Sequence, residues 1–143
     1  MAGASQPAGE PPLEGVLVFA RAEFDRMLAY LRGDVTEERC GLLAGGGGRV
    51  TRVLPVPNAA KSPTEYRMDG QEFVDALIAC DWEPLAIFHS HLAGPPVPSQ
   101  TDIDSATVPE AVYVIASLAS EPPSVRAFRI VAGRVSETEL RIE

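Results

Sequence analysis

The sequence predicts an α+β fold in a single domain. Its 143 residues, of which 45% are hydrophobic, are enough for one well-buried core and too few for two domains. Short β-prone runs, two of them joined by a glycine-rich turn, alternate with segments whose apolar residues recur at the three- and four-residue spacing of amphipathic helices. Helices interspersed with a mixed, hairpin-rich sheet follow from this order.

The N-terminal part divides into a tail and the first two elements of the domain. Residues 1–13 are rich in alanine, glycine and proline, and we expect a disordered tail there, followed by a folded domain over 14–143. A strand is predicted over 16–19. The next helix ends at Gly33, and its buried stripe consists of Phe24, Met27, Leu28 and Leu31.

Four consecutive glycines, Gly45 to Gly48, join strands predicted over 40–44 and 50–56. Glycine accepts any turn geometry, so this run favours a hairpin. A phosphate-binding loop is the alternative, but no Gly-Lys-Ser/Thr follows and the flanking pattern is strand to strand. The remaining predicted elements are a short strand over 65–68, a helix with Phe73, Val74, Leu77 and Ile78 that ends near Trp82, a strand through 84–91, a short helix from about Thr101, and strands over 112–116, 126–131 and within 135–142.

The composition argues against several classes of partner and location. The formal net charge is −8, without clusters of Lys and Arg, so we expect neither nucleic acid nor an anionic membrane as a partner. No apolar stretch has the length of a transmembrane helix and the N-terminus does not resemble a signal peptide, so we expect a cytoplasmic protein. Cys40 and Cys80 form no Cys-x-x-Cys unit, and we expect both to be reduced and buried.

The only two histidines of the chain form a His89-Ser90-His91 unit after an apolar run. Residues two apart in a strand project from the same face, so both imidazoles converge on one point. Asp102 is the candidate third ligand, once the loop 92–98 has turned the chain back. Three protein ligands with one open position are typical of a catalytic zinc site.

Each of these residues also has a simpler interpretation. A lone strand histidine is more often a hydrogen-bonded structural residue than a ligand. Ser99-Gln100-Thr101-Asp102 is also a capping box, which opens a short helix. This interpretation is compatible with a metal site, because a capped helix start holds a ligand rigidly.

The pattern of Glu38, His89, His91, Ser99 and Asp102 resembles the signature of the JAMM, or MPN-plus, metalloproteases. That signature is a distant Glu followed by His-x-His, seven residues, Ser, two residues and Asp, and it is matched here without a gap or substitution. The resemblance implies a curved sheet flanked by helices and one zinc per chain, held by His89, His91 and Asp102.

The resemblance also implies roles for Glu38 and Ser99. Glu38 begins a segment similar to the Glu-x-Cys-Gly-Leu-Leu-x-Gly of bacterial JAMM proteins, where the Glu takes a proton from water and returns it to the leaving amine. Composition alone would not separate it from Glu37. Ser99 would donate a hydrogen bond to the oxyanion of the tetrahedral intermediate. The implied reaction is attack of water on a zinc-polarised amide carbonyl.

Asn58 and the segment 62–69 match the bacterial branch of the family, so the resemblance covers residues 15–142. Members with these segments are similar to stand-alone peptidases that act on ubiquitin-like sulfur-carrier proteins ending in Gly-Gly. We expect such a tail to add to an exposed sheet edge, with contacts from 58–68 and 92–98. The chain lacks the large insertion of the polyubiquitin-specific relatives, so linkage-specific deubiquitination is not expected.

Two further function classes compete with this interpretation. Many MPN proteins have lost the metal ligands and serve as scaffolds or interaction modules, but the complete set of five residues argues against that role here. A metal-dependent deaminase would need a Cys-x-x-Cys ligand pair, which is absent. The sequence leaves open the carrier protein, the leaving residue and the oligomeric state.

Overall fold

The computed structural model describes residues 16–143, so the tail expected over 1–13 lies outside the described residues. The described part contains three helices and seven strands. In chain order they are β1 Val16–Phe19, α1 Arg21–Arg32, β2 Cys40–Gly46, β3 Arg49–Val56, α2 Gly70–Ala79, β4 Ala86–His91, α3 Gln100–Ser105, β5 Val112–Ser117, β6 Ser124–Val131 and β7 Arg134–Ile142.

The strands form one sheet that closes on itself. Neighbouring strands follow the order β1, β3, β2, β4, β5, β6, β7, and β1 also pairs with β7. The β1–β3, β1–β7 and β4–β5 pairs are parallel, whereas the others are antiparallel. The predicted α+β fold with a curved, mixed sheet and flanking helices is therefore confirmed.

Alternating residues of the central strands supply two apolar clusters. Phe88 belongs to a cluster that includes the buried stripe of α1, whereas its neighbour Ile87 belongs to a cluster packed with residues of α2 and α3. Full burial of each large apolar side chain contributes roughly 1.5–3 kcal/mol. His89 and His91 share the face of Ile87, because residues two apart in a strand point the same way.

The first helix and the glycine hairpin form as predicted. The four stripe residues of α1 are all buried, and the helix ends directly before Gly33. Gly47 and Gly48 turn the chain between β2 and β3 with φ angles of 62° and 80°, which suit the turn that the right-handed twist of a hairpin favours. Cys40 and Cys80 are buried free thiols, as expected.

The second helix is present but shorter than predicted, and one predicted strand is wrong. The second helix ends at Ala79, because Asp81 and Trp82 have φ angles of 55° and 61° that a helix does not accept, and its expected core residue Ile78 is exposed. Residues 65–68 form no strand. Their inward main-chain groups bond instead to the Asn58 side chain and to the Ala59 amide.

Among the described residues, no helix combines the length and the apolar character that a membrane crossing requires.

Candidate active site

The structure brings the three predicted metal ligands together. One side-chain donor atom from each of His89, His91 and Asp102 lies within 4.8 Å of the others, and all three residues are buried. The histidines come from the end of β4, and Asp102 comes from the first turn of α3. The parallel crossover from β4 to β5 carries α3 back over the sheet, so residues eleven or more positions apart meet.

The capping box fixes Asp102. The Asp102 amide donates to Ser99 Oγ at 3.1 Å, and the Ser99 amide donates to Asp102 Oδ2 at 2.9 Å. The same Oδ2 atom lies 3.0 Å from His91 Nε2 and 3.3 Å from His89 Nε2. Burial acts to raise the pKa of Asp102, but its contacts with the two imidazoles outweigh burial and hold the pKa well below the usual range. The ligand is therefore a carboxylate.

The two imidazoles differ in their partners. His91 Nδ1 lies 2.8 Å from the Pro95 carbonyl oxygen, which accepts its proton and leaves Nε2 directed at Asp102. Burial acts to lower the pKa of His91, but hydrogen bonds to Asp102 and Pro95 outweigh it and raise the pKa. His89 is 1% exposed, and neither of its ring nitrogens forms a hydrogen bond with the described residues. Its burial lowers the pKa, which favours the neutral ring that binds metal.

Glu38 lies beside these histidines because of the register between β2 and β4. Cys40 is opposite His89, and the pairing continues because the Ser90 amide donates to Arg39 O and the Arg39 amide to Ser90 Oγ, both at 3.0 Å. Glu38 lies two residues before Cys40, and the charges of His91 and Asp102 act on its carboxyl. Since alternate residues share a face, the Glu38 side chain points toward the site of the histidines.

The Glu38 carboxyl is 3% exposed, and its Oε1 atom has no hydrogen-bond partner among residues 16–143. Burial, which is opposed by the nearby His91 and reinforced by the charge of Asp102, raises its pKa to about 8. A carboxyl that titrates near neutral pH is suited to accept and return a proton. The neighbouring Glu37 is half-buried, and its amide bonds to the Asp34 side chain on the preceding loop.

Ser99 combines a structural contact with an available proton. Its Oγ accepts the Asp102 amide as a helix cap, which confirms the simpler interpretation of this residue. A hydroxyl that accepts through a lone pair keeps its own proton to donate. Ser99 is half-buried next to the ligand Asp102, so this proton is available at the edge of the site.

Cys40 shares a face with His89, but it is not suited to nucleophilic chemistry. Burial, with a smaller contribution from the charge of Glu38, raises the pKa of the Cys40 thiol to about 12. Its Sγ donates to the Val56 carbonyl oxygen at 3.4 Å. The thiol therefore stays protonated at neutral pH.

Three contacts at the site were not predicted from the sequence. The Tyr66 ring stacks on His89, with ring centroids 4.3 Å apart and planes inclined by 27°. The Asn58 side chain donates to the Glu38 carbonyl oxygen at 2.9 Å and to the Glu65 carbonyl oxygen at 3.0 Å. Pro95 contributes a main-chain oxygen. An isolated aromatic or amide residue gives little sequence signal of such contacts, and a main-chain oxygen gives none.

Comparison with curated proteins identifies relatives that match most of the chain. The CysO-cysteine peptidase of Mycobacterium tuberculosis is 39% identical over 133 residues, which cover 89% of this chain and 91% of that protein. A Thermus thermophilus protein named "Probable TtuB-protein conjugate cleaving protease" is 38% identical over 125 residues, covering 83% of this chain and 79% of that protein.

Solved structures give the same picture of the fold. The solution structure of a Desulfitobacterium hafniense protein has 33% identity and a TM-score of 0.79, covering 89% of this chain and 92% of that one. The crystal structure of a JAB1/MPN domain protein from Archaeoglobus fulgidus has a TM-score of 0.62, with 90% and 98% covered. At 16% identity, that second likeness concerns the fold alone.

The family model described as prokaryotic homologs of the JAB domain matches residues 20–131. This match spans most of the chain, and it agrees with the relatives, with the fold and with the resemblance to JAMM proteins seen in the sequence. The chain therefore belongs to the prokaryotic JAB domain family.

Proposed function

We propose that this chain is a zinc-dependent peptidase that hydrolyses the amide bond after the C-terminal Gly-Gly of a ubiquitin-like or sulfur-carrier protein. The observation that carries the proposal is the convergence of His89, His91 and Asp102 in a buried cluster, with Glu38 near enough for the charges of His91 and Asp102 to act on its carboxyl. A purely structural cluster would give no reason for an unpartnered, buried carboxyl oxygen on Glu38.

The donor set suits a catalytic zinc ion. Two imidazole nitrogens and one carboxylate oxygen are ligands that zinc prefers, and three protein ligands leave a position for the reacting groups. His89 Nε2 is buried 3.3 Å from Asp102 Oδ2 and forms no hydrogen bond with the described residues, so it is free to bind a metal beside that carboxylate. We propose one zinc per chain, held by His89, His91 and Asp102. When bound, zinc supplies a Lewis acid that polarises the scissile carbonyl and lowers the pKa of water.

Glu38 is the proposed general base and acid. Burial raises the pKa of Glu38 to about 8, within the range in which a carboxyl can both accept and return a proton. In the ionised form it takes a proton from the attacking water, and in the protonated form it returns that proton to the leaving amine. The Ser99 hydroxyl donates a hydrogen bond to the oxygen on which negative charge develops.

The substrate tail has a place beside the metal ligands. Because the sheet closes, every strand of the described part has two neighbours, and we propose that the tail adds instead to the segment 65–68, which lies outside the strands. Glu65 and Arg67 bond inward to Asn58 and Ala59, whereas the main-chain groups of Tyr66 and Met68 have no partner among the described residues. An extended tail can add to these free groups as a further strand.

Glycine at the last two positions of the carrier follows from this placement. A tail held along 65–68 passes beside the stacked Tyr66 and His89 rings, so a side chain before the scissile bond would hold its carbonyl away from the ligands. The names of two relatives, which refer to CysO-cysteine and to TtuB-protein conjugates, support a carrier substrate with either an amino acid or a protein as the leaving group.

The test uses zinc-loaded protein and a ubiquitin-like carrier whose Gly-Gly end is extended by one amino acid. Intact-mass spectrometry should show loss of that amino acid alone, with the carrier ending in Gly-Gly. The same carrier ending in Ala-Ala-x, and a free tail peptide, should react far more slowly, because the folded carrier supplies the binding energy that orients the bond. Glu38→Gln is the matched control, with a turnover lower by about 10²–10⁴-fold.

Two results would contradict the proposal. Metal analysis that finds no stoichiometric zinc after reconstitution, or the same zinc content in His89→Ala, would remove the metal assignment. Equal rates on Gly-Gly-x and Ala-Ala-x carriers would leave a general metallopeptidase instead.

A further inference from the structure

The two histidines of the site are oriented by different means. His91 is fixed by the hydrogen bond between its Nδ1 and the Pro95 carbonyl oxygen, 2.8 Å apart. A metal-binding histidine nearly always has such a partner for its second nitrogen, because the partner fixes the ring orientation. His89 has none within the described residues, although the ring is 1% exposed. Asp102 Oδ2 lies 3.3 Å from His89 Nε2, but no polar group of the described residues holds Nδ1, so the orientation of the ring needs a second contact.

Tyr66 is the side chain in position to do so. Its ring lies against His89 with the centroids 4.3 Å apart and the planes 27° from parallel, so one face of the imidazole is covered. Two aromatic rings stacked in this way attract each other beyond the effect of the area that they bury. Tyr66 also packs against the apolar cluster that includes residues of α2 and α3, and this packing holds the Tyr66 ring in place.

The main chain on both sides of Tyr66 is fixed as well. Asn58 Nδ2 donates to the Glu65 carbonyl oxygen at 3.0 Å, and Asn58 Oδ1 accepts the Arg67 amide at 3.0 Å. The Arg67 carbonyl oxygen accepts the Ala59 amide at 2.8 Å. Tyr66 therefore has a defined backbone position from which its ring can constrain a neighbour.

We infer that Tyr66 is a positioning residue, which orients the His89 imidazole for zinc by stacking on it in place of a hydrogen bond. The inference rests on the proposed zinc site. Stacking restricts rotation of the His89 ring, so the side chain loses less conformational entropy when the metal binds. The Tyr66 ring acts on the metal through His89 and is not itself a ligand.

The experiment compares three variants with the wild-type protein. Tyr66→Leu removes the stacking ring, and Tyr66→Phe keeps the ring but lacks the hydroxyl. Phe73→Leu is the matched control, because Phe73 is a half-buried aromatic residue packed against the same cluster and is not stacked on a histidine. Zinc affinity is measured by competition with a chromogenic chelator, and the visible spectrum of the cobalt-substituted protein reports the ligand geometry. Thermal unfolding of the metal-free protein reports packing alone.

Tyr66→Leu should weaken zinc binding by about 2–10-fold and change the cobalt spectrum. Tyr66→Phe should retain wild-type affinity, and Phe73→Leu should lower the unfolding temperature without weakening zinc binding. Unchanged affinity in Tyr66→Leu, equal losses in Tyr66→Leu and Tyr66→Phe, or an equal loss in Phe73→Leu would each overturn the inference. A wild-type protein that binds no zinc would refute the proposed function itself, and the inference with it.

Discussion

Replacement of Glu38 by glutamine should stabilise the metal-free protein, by an amount that depends on pH. The wild-type carboxyl is 3% exposed with one oxygen unpartnered, whereas the amide of Glu38→Gln has nearly the same shape and no charge to bury. Burial raises the pKa of Glu38 from 4.5 to about 8. The unfolded chain, in which the carboxyl is hydrated, titrates near the lower value.

The direction of this pH dependence follows from the number of protons bound by the folded and the unfolded state. Below about pH 4.5 both states hold the proton, so the carboxyl costs the folded state nothing extra. As the pH rises toward 8, the unfolded chain releases its proton while the folded protein retains it, and the free energy of unfolding of the wild type falls. At ~1.4 kcal/mol per pH unit, the full loss is on the order of 5 kcal/mol. Above pH 8 the loss is constant.

Urea unfolding followed by circular dichroism, in the presence of a chelator, measures this difference between about pH 5 and about pH 8. The advantage of Glu38→Gln over the wild type should be small at the acid end and grow by a few kcal/mol toward the alkaline end. Glu37→Gln removes the same charge from the adjacent residue and serves as the control. An advantage that does not grow with pH, or that grows equally in both variants, would refute the argument from burial.

Two further substitutions test the surroundings of the ligands. Ser99→Ala should lower turnover by on the order of 10²–10³-fold, because the oxyanion donor is lost. It should also lower the free energy of unfolding in urea by about 1 kcal/mol, because the helix cap is lost. Reduced stability with unchanged turnover would limit Ser99 to capping. Asn58→Asp keeps the acceptor atom but turns a carboxylate oxygen toward the Glu38 and Glu65 carbonyl oxygens, so it should cost about 1–3 kcal/mol in urea unfolding and more than Asn58→Ala. Equal costs for the two variants would contradict this.

The elements best predicted from the sequence are those whose pattern is local. The helix stripe Phe24, Met27, Leu28 and Leu31 and the face shared by His89 and His91 follow from the periods of helix and strand, and both are confirmed. The end of α2 could not be found in this way. The helix end is set by the left-handed backbone conformations of Asp81 and Trp82. Neither residue type indicates such a conformation from the sequence.

The residues of the site also differ in how far local sequence patterns predict their positions. The spacing of His89, His91, Ser99 and Asp102 falls within one crossover, so their proximity follows from local chain geometry. The approach of Glu38 depends on a strand register that joins residues about fifty positions apart, and only the match to a family motif indicated it. Spacing alone would not have separated Glu38 from Glu37, although in the structure Glu38 is buried near His91 and the Glu37 amide bonds back to its own loop.

Asn58 shows why the positions of the general base and of a metal ligand are not independent. A side-chain amide offers two donors and two acceptor lone pairs, and Asn58 uses all four, with the Glu38 and Glu65 carbonyl oxygens on one side and the Ala60 and Arg67 amides on the other. It therefore joins the backbone of Glu38 to the segment that carries Tyr66. Since Tyr66 stacks on His89, a shift of that segment changes the orientation of the histidine and the position of the carboxyl together. Proton transfer and metal binding both require their groups to be placed to within a fraction of an ångström. The Asn58 amide, with all four of its hydrogen bonds formed, restricts the positions of both groups.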